Sequence, residues 1–531
     1  MKVLFIFPNY DCPLGLSIGV SYLSSTLQQE GFETSIIHIN EEIGYPFDIK
    51  RILNDIELIN PNYICISTGE NHYSDMRELS YRIKEKLNIP IVIGGIYATL
   101  NPESVLTMDC PFDFLIRGEG EWAIKDLMVN LQKGNDITNI PNVWMKSNDK
   151  IIKNPMRRFI NYFELPYMDL DNWDFEKITK LRRGWVNVSM NRGCPYRCTF
   201  CHNLAEVKIL KNEFNTRTTG NKELGYLRLR DIDNMIKELK YIKDKYDFVK
   251  AFSFIDDTFT YDKEYMKMFF MRYKDEIGLP FVCLTTINDV DDELLELMKS
   301  ANCDLIRFGV ESTTKRICNE IIKRRFSEQT LRHVFDKCNQ IGLRTFSYNI
   351  IAHPTETKEE MLNTIKLNAE IKPSGIRISL GYPYKGTEYY DIAKKMGMLN
   401  DNIDYHNYTT GTKFKFTEEE KLWIDKFKSF FWWWLNAEQN TELYEIYQPL
   451  INQIESIPLT LWYENREDIL DNYILIDRQI SEKLLKKNIP HYNVPFDDRP
   501  DIALYQNKHV LKKEMLDEHE KKNNINYWCW Y

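Results

Sequence analysis

The chain has 531 residues, and 78 aspartates and glutamates outnumber 69 lysines and arginines, which leaves a net charge of −9. This length predicts three or four domains, and 43% hydrophobic with 28% charged residues excludes disorder, collagen and coiled coil. The acidic balance argues against general nucleic-acid binding, and we expect no stable nucleic-acid partner. The chain start lacks a secretory signal pattern, and the longest conspicuous apolar run, residues 430–435, is too short to span a bilayer. We therefore expect a soluble, cytoplasmic protein without a transmembrane segment.

Strand and helix patterns alternate over residues 1–132. The predicted strands are 3–7, 35–39, 63–67, 91–93 and 112–116, and the predicted helices are 17–29, 52–59 and 73–87. Short, continuously apolar strands between helices are typical of a parallel sheet covered on both faces. The pattern predicts a doubly wound, Rossmann-like domain that binds its ligand beyond the carboxyl ends of the strands.

The rest of the chain divides into three predicted parts. Residues 133–183 are rich in Asn-Pro and similar breaks and are interpreted as a linker. Residues 184–404 contain six further strand–helix units, which predict a partial (β/α)6 barrel with its function at the carboxyl ends of the strands. Residues 405–531 are predicted to be mainly helical. With residues 1–132, these segments give the expected division of the chain into domains.

Three cysteines follow the first strand of the second series. Cys194, Cys198 and Cys201 are spaced Cys-x3-Cys-x2-Cys in one short loop. Thiolates are the ligands of iron–sulfur clusters, and three of them leave one iron of a four-iron cluster open. Structural zinc is the alternative, but it normally takes four ligands, and the adjacent His202 is badly placed to be the fourth.

This loop resembles the hallmark of the radical S-adenosylmethionine (SAM) enzymes, including the aromatic residue, Phe200, before the third cysteine. The resemblance covers residues 180 to about 400. It implies a [4Fe–4S] cluster on the three cysteines, with SAM chelating the open iron near Phe200. Reductive cleavage of SAM would then yield a 5′-deoxyadenosyl radical.

Later segments resemble other parts of the same family's barrel. Asp256 and Asp257 lie in the second-strand segment and would face the methionine amine of SAM, although a polar turn without a ligand is the alternative. Glu311 and Ser312 lie in the fourth-strand segment and suit hydrogen bonds to ribose or amine. His353, near the end of the fifth strand, stands where the family's pattern has glycine.

The first domain resembles the cobalamin-binding domain that is fused to many radical SAM enzymes. The matching segments are 13–16, 93–99 and 117–121. Gly94 and Gly95 would let backbone approach a large ligand closely, and Thr99 would offer it a hydroxyl. The resemblance adds to the cobalamin site Gly118 and Glu119, and, from the turn after the third strand, Ser67, Asn71 and His72.

The sequence leaves alternatives open for the cobalt ligand and for the cofactor of this domain. An Asp-x-His-x-x-Gly motif is absent from the sequence, so that pattern marks no axial histidine. His72 is a candidate ligand, and a surface or helix-capping histidine is the alternative. A Gly-x-Gly-x-x-Gly fingerprint is also absent, which disfavours a dinucleotide. Loss of cobalamin from a retained domain is another alternative.

The resemblance implies a cobalamin-dependent radical SAM enzyme. We expect a methyltransferase acting on an unactivated carbon, or on phosphorus, of a small-molecule or natural-product intermediate. The enzymatic alternative is a cyclase or rearrangement enzyme that uses the same cofactors, and a non-catalytic cobalamin or redox sensor is the other. A methylthiotransferase is disfavoured because Cys12, Cys65 and Cys110 lack the context of a second cluster. A reductant such as flavodoxin or ferredoxin is the expected partner.

Two aromatic segments mark the C-terminal region. Residues 423–435 contain four tryptophans and three phenylalanines, a density more typical of a core or an interdomain seam than of a substrate cage. Residues 527–531 form an aromatic tail that includes Cys529, for which a position at the barrel mouth is a further hypothesis.

Overall fold

The computed structural model describes residues 1–159, 161–216, 224–400, 403, 411–494 and 501–506. Its chain forms two compact units. The first contains Met1–Tyr196, Cys201–Asp257 and Tyr384–Thr387, and the second contains Arg197–Phe200, Thr258–Pro383 and the described residues from Glu388 onward. The aromatic tail with Cys529 lies outside the described residues.

The first unit is built on a seven-stranded sheet. Five strands run parallel, and they alternate with helices that cover the sheet, as the sequence predicts. The apolar runs form the strands because both of their faces are buried. In sheet order the parallel strands are Glu33–Ile39, Lys2–Pro8, Tyr63–Ser67, Ile91–Gly94 and Phe114–Ile116. The helices are Ile18–Gln29, Ile49–Ile59, Glu70–Lys86, Ile96–Leu100, Pro102–Val105 and Glu121–Lys133.

Part of the predicted linker is instead a hairpin. Val143–Ser147 and Lys150–Lys153 add two antiparallel strands to the edge of the first sheet. The turn between them is only two residues long, and Asn148 occupies it with a left-handed φ of 51°, as such turns require. The linker prediction is therefore wrong for residues 143–153, because it missed this turn. The helix Phe175–Leu181 also lies within 133–183.

The first two strands of the second series belong to the first unit. Trp185–Val188 and Ala251–Phe254 pair in parallel. The helices His202–Glu213 and Ile232–Lys245 lie between them in sequence. A two-residue antiparallel ladder joins Asn191–Arg192 to Arg228–Leu229, and it directly precedes the cysteine loop.

The second unit contains the other four predicted strands. Phe281–Thr285, Cys303–Glu311, Arg344–Ile351 and Gly375–Leu380 run parallel. Their helices are Lys263–Glu276, Asp292–Ser300, Glu328–Gln340, Lys358–Ile371 and Glu388–Lys395. All six strands predicted for the radical SAM barrel are therefore present.

The C-terminal region is mainly helical, as predicted. Its helices are Glu418–Ala437, Thr441–Ser456, Leu459–Glu464 and Arg466–Lys486. Two short strands, His491–Asn493 and Ile502–Gln506, were not predicted, and the second pairs antiparallel with Gly375–Leu380. The aromatic segment is core, since Trp432 and Trp433 are fully buried in one hydrophobic cluster. No helix in the described ranges has the length and hydrophobicity to cross a membrane.

Candidate functional site

A cavity of about 350 Å³ opens at the carboxyl ends of the first sheet's parallel strands. We call it the sheet cavity. Five of the residues predicted to bind cobalamin line it, namely Ser67, Gly94, Gly95, Gly118 and Glu119. Its other lining residues include Phe5, Cys65, Ile18, Gly19, Leu23 and Ile124. An apolar cavity of this volume with a few polar groups is typical of a cofactor site.

The glycines of the sheet cavity have different roles. Gly95 has a φ of 94°, and an added Cβ would lie 2.7 Å from the carbonyl oxygen of Thr68, so the fold itself requires glycine there. A Cβ at Gly94 would make only ordinary contacts, the nearest at 3.6 Å. Gly19 lies in the first turn of the helix Ile18–Gln29, where a Cβ would have open space. Gly94 and Gly19 therefore leave room in the cavity that a side chain would fill.

A second cavity of about 300 Å³ lies beside the end of the strand Trp185–Val188. We call it the loop cavity because Asn191, Arg192 and Gly193, which lead into the cysteine loop, line it. Thr99, Gly118, Glu119, Asp256 and Asp257, all predicted site residues, line it too. The two cavities share the lining residues Gly118, Glu119, Ser189, Arg192 and Ile255.

Thr99 does not offer a free hydroxyl. Its Oγ1 donates to the carbonyl oxygen of Gly95 at 2.9 Å and accepts from the backbone N–H of Gly118 at 3.0 Å. The side chain is 3% exposed. Thr99 therefore ties two glycine turns of the cavity wall together, and its hydroxyl hydrogen is used within the wall, which leaves one lone pair of Oγ1 to accept a hydrogen bond from a ligand.

Glu119 is held by two arginines in the wall that the cavities share. Arg192 donates from Nη1 to Glu119 Oε1 at 2.9 Å, and Arg228 donates from Nη1 to Oε2 at 2.9 Å. Burial opposes ionisation of Glu119, but the two guanidinium groups outweigh it and lower its pKa to about 2. Arg192 also pairs with Glu121. The wall is thus a buried network of four charged side chains.

Asp256 faces both the backbone and the loop cavity. Its Oδ1 accepts hydrogen bonds from the backbone N–H groups of Met190, at 2.8 Å, and Asn191. Its Oδ2 is buried and has no hydrogen-bond partner among the described residues. Burial raises the pKa of Asp256 to about 7, against the effect of the backbone hydrogen bonds. Asp257 lines the same cavity. Of the two carboxylate oxygens of Asp256, Oδ1 therefore fixes the chain before the cysteine loop, and Oδ2 is left for a ligand.

The three cysteines form no disulfide with any described residue. Cys198 is buried, and Cys194 and Cys201 are half-buried. Asn203 Nδ2 lies 3.4 Å from Cys201 Sγ, and Arg324 Nη1 lies 3.5 Å from Cys198 Sγ. Within the described residues, no three cysteine, histidine or acidic side chains are gathered as a metal site. The cluster ligands therefore rest on the chemistry and spacing of the three thiols, which suit a [4Fe–4S] cluster.

Glu311 and Ser312 lie at the end of the fourth strand of the series, in the second unit. Glu311 has a left-handed φ of 65°, and burial raises the pKa of its carboxyl group, while the Arg324 guanidinium opposes this. Arg324 donates to the carbonyl oxygen of Gly309 at 2.9 and 2.6 Å. Ser312 is buried, and its Oγ accepts from the backbone N–H of Thr314 at 3.3 Å. Strain at Glu311 is typical of a functional position.

Asn71 and His72 do not line either cavity in the described part of the chain. His72 is buried, and its Nε2 lies 2.9 Å from the carbonyl oxygen of Tyr10. The same Nε2 lies 3.3 Å from Asn71 Nδ2, so contacts within the chain surround this ring nitrogen. The alternative of a surface or helix-capping histidine is therefore wrong, and the predicted cobalamin-site residue His72 lies outside the lining of the two cavities.

Two further predicted positions serve packing. Phe200 packs against a hydrophobic cluster that includes Ile317, Ile321 and Tyr389. His353 is fully buried, and its Nδ1 lies 2.7 Å from Tyr389 Oη. Burial lowers the pKa of His353 to about 3, so it is a neutral core residue there.

Several residues of the site were not predicted from the sequence. Gly19, Arg192, Arg228, Asn203 and Arg324 carry no motif that reveals their contacts. The only available signal was the position of Arg192 and Asn203 close to the cysteines. The charged wall could not be predicted because the antiparallel ladder between Asn191–Arg192 and Arg228–Leu229 brings together residues that are far apart in sequence.

Comparison with known families assigns the class of the protein. Residues 188–367 match the radical SAM superfamily, and residues 14–128 match the B12 binding domain. The chain belongs to the radical SAM enzymes that carry a cobalamin-binding domain. Its cofactors are a [4Fe–4S] cluster, SAM and cobalamin. The three thiols, the unpartnered Asp256 Oδ2 and the glycine-lined sheet cavity are compatible with these groups.

Curated relatives match most of this chain. An uncharacterised methyltransferase of Pyrococcus horikoshii is 28% identical over 77% of this chain and 86% of its own. Cytidylyl-2-hydroxyethylphosphonate methyltransferase of Streptomyces wedmorensis is 22% identical over 77% and 84%. Anaerobic magnesium-protoporphyrin IX monomethyl ester cyclase of Rubrivivax gelatinosus is 22% identical over 77% and 72%.

Solved structures have the same fold. OxsB, a cobalamin-dependent SAM radical enzyme solved with aqua-cobalamin and SAM, superposes with a TM-score of 0.64 at 16% identity, over 94% of this chain and 82% of its own. The radical SAM methyltransferase TsrM of Kitasatospora setae, solved with cobalamin and a [4Fe–4S] cluster, gives 0.59 at 16% identity over 74% and 75%.

Proposed function

We propose that this enzyme is a cobalamin-dependent radical SAM methyltransferase that acts on an unactivated carbon, or on phosphorus, of a small molecule. The observation that carries the proposal is the shared wall between the two cavities. Glu119 and Arg192 line both the glycine-lined sheet cavity and the loop cavity, which is lined by residues just before and just after the cysteine loop. Such an arrangement suits an enzyme that uses two cofactors in one reaction.

The residues divide between two tasks. We assign cobalamin to the sheet cavity, with Ser67, Gly94, Gly118 and Gly19 against it, and the cluster to Cys194, Cys198 and Cys201. Asp256 Oδ2 and Asp257 would receive the ammonium group of SAM, because a carboxylate stabilises a buried cation. Bound cobalamin supplies a carrier for the methyl group, and the reduced cluster supplies the electron that cleaves SAM.

The domain boundaries and the cellular setting are also part of the proposal. We assign the cobalamin function to residues 1–132 and the radical chemistry to 184–404, with 405–531 shaping the substrate site. The ten described cysteines form no disulfides with one another, as is typical of the reducing cytoplasm. A flavodoxin or ferredoxin would supply the electron there.

A cyclase or rearrangement enzyme is the second candidate, since one relative is named an anaerobic cyclase. A methyltransferase consumes SAM twice, once as the methyl donor and once as the radical source. It therefore releases both S-adenosylhomocysteine and 5′-deoxyadenosine, whereas a cyclase needs no methyl donor and releases only the second product.

The test is mass spectrometry of both products after anaerobic incubation of the reconstituted enzyme with SAM and a reductant. We expect S-adenosylhomocysteine that depends on added cobalamin, and 5′-deoxyadenosine that is lost in Cys198→Ala. Cys12→Ala, another half-buried cysteine outside the loop, is the control. Deoxyadenosine without cobalamin-dependent S-adenosylhomocysteine would favour the cyclase.

A further inference from the structure

The buried charged wall connects the cofactor site of the first sheet with the start of the cysteine loop. Glu119 belongs to the turn after the strand Phe114–Ile116, and Arg192 precedes Cys194 by only two residues. The side chains of Glu119, Glu121 and Arg192 are 17%, 4% and 19% exposed, and that of Arg228 is 16% exposed. Only Glu121 is fully buried, but the three other side chains are mostly shielded from solvent, and shielded ion pairs are costly to break one partner at a time.

Arg192 has little freedom to move independently of this wall. Its guanidinium group bonds both Glu119 and Glu121 and lies 4.5 Å from the centre of the Tyr162 ring. Its backbone pairs with that of Arg228. Arg228 in turn bonds Glu119 and lies over Phe159 at 4.5 Å. Both arginines are therefore fixed by the same carboxylate.

The neighbours of Arg192 are fixed as well. Gly193 has a φ of 85°, and a Cβ there would lie 2.3 Å from the carbonyl oxygen of Tyr226. On the other side, Asp256 Oδ1 accepts from the backbone N–H groups of Met190 and Asn191. Residues 190–193 thus have contacts on both sides of the chain at the entry to the cysteine loop, and a shift of Arg192 would be passed on to Cys194, two residues later.

We propose that Glu119 is a positioning residue that couples cobalamin binding to assembly of the iron–sulfur cluster. The inference rests on the proposed placement of cobalamin in the sheet cavity and of the cluster on the cysteines. Cobalamin in that cavity contacts a wall whose order fixes Arg192, and the cluster fixes the same loop from its other end. Each cofactor then binds more tightly when the other is present, and by the same factor.

The experiment measures the dissociation constant of hydroxocobalamin for the protein with and without its reconstituted cluster. For the native protein we expect the cluster to tighten cobalamin binding by about tenfold. In Glu119→Gln the ratio should fall to nearly one, because a neutral amide cannot hold both buried guanidinium groups. Glu119→Asp should restore part of the coupling.

Asp126→Asn is the matched control, since Asp126 pairs at 2.8 Å with Arg157, another residue of the loop cavity, outside this network. It should keep the native ratio. As an independent signature, the electron paramagnetic resonance spectrum of the reduced cluster should change on adding cobalamin in the native protein and not in Glu119→Gln. Equal ratios in native protein and Glu119→Gln would overturn the inference while leaving both cofactor sites intact. Failure of the native protein to bind cobalamin would overturn the proposed function instead.

Discussion

At the scale of single residues, the contacts of Asp256 and His72 decide what each side chain can bind. Asp256 holds the chain with one carboxylate oxygen and faces the loop cavity, which its side chain lines. The sequence placed Asp256 in the ligand site, but it did not reveal that one oxygen of its carboxylate fixes the N–H groups of Met190 and Asn191. The sequence also offered His72 as a ligand of cobalt, and it did not reveal that the carbonyl of Tyr10, 62 positions away, contacts its Nε2.

The environment of His72 predicts that it is not the ligand of cobalt. His72→Gln keeps a donor for the Tyr10 carbonyl, so we expect the dissociation constant for cobalamin to change by less than about threefold. The electron paramagnetic resonance spectrum of bound cob(II)alamin should be the same in both proteins. A spectrum that loses nitrogen coupling in His72→Gln would identify His72 as the ligand and contradict the placement.

At the scale of elements, apolar periodicity predicted all eleven strands named in the sequence, because each is a buried run between helices. It missed the hairpin of residues 143–153 and the two C-terminal strands, which are added as antiparallel pairs beyond the predicted strands and are short or half-exposed. Pairing of edge strands depends on a partner elsewhere in the chain, and no local pattern specifies that partner.

The helix Ile18–Gln29 provides a test of the sheet cavity that does not disturb the sheet. Gly19→Leu places a side chain in the cavity where a Cβ meets nothing closer than 3.9 Å, so stability should change by less than about 1 kcal/mol. We expect cobalamin binding to weaken at least tenfold because the side chain occupies its space. Gln29→Leu, on the exposed end of the same helix, should bind normally. Normal cobalamin binding by Gly19→Leu would show that cobalamin does not bind in the sheet cavity.

The C-terminal helices contain a buried carboxyl group that should make their stability depend on pH. Asp477 accepts hydrogen bonds from the Nε1 groups of Trp432 and Trp433, both at 3.0 Å, and burial raises its pKa to about 7. Unfolded aspartate titrates near 4, so between pH 4 and 7 the folded state keeps a proton that the unfolded state has lost. Stability from this group is therefore complete below about pH 4 and declines as pH rises to 7.

Asp477→Asn removes that titration. The midpoint of urea unfolding, followed by tryptophan fluorescence, should fall less steeply between pH 4 and 7 in the variant than in the native protein. Identical slopes would mean that the carboxyl group titrates alike in both states.

At the scale of the whole molecule, we expect a single chain to hold cobalamin and the iron–sulfur cluster at separate sites, built from separate parts of its sequence. The motifs predicted both cofactors because each motif is local. They did not predict the wall of Glu119, Arg192 and Arg228, because it joins residues from positions 119 to 228 that approach one another only in the folded chain.

The most direct test is the iron and cobalamin content of the native protein and of Cys198→Ala and Gly19→Leu, reconstituted anaerobically with saturating amounts of both. The native protein should hold about four irons and one cobalamin per chain. Cys198→Ala should lose the cluster and keep cobalamin, and Gly19→Leu should lose cobalamin and keep the cluster. A native protein that retains neither cofactor would contradict the account, and so would the loss of the same cofactor, or of none, in both variants.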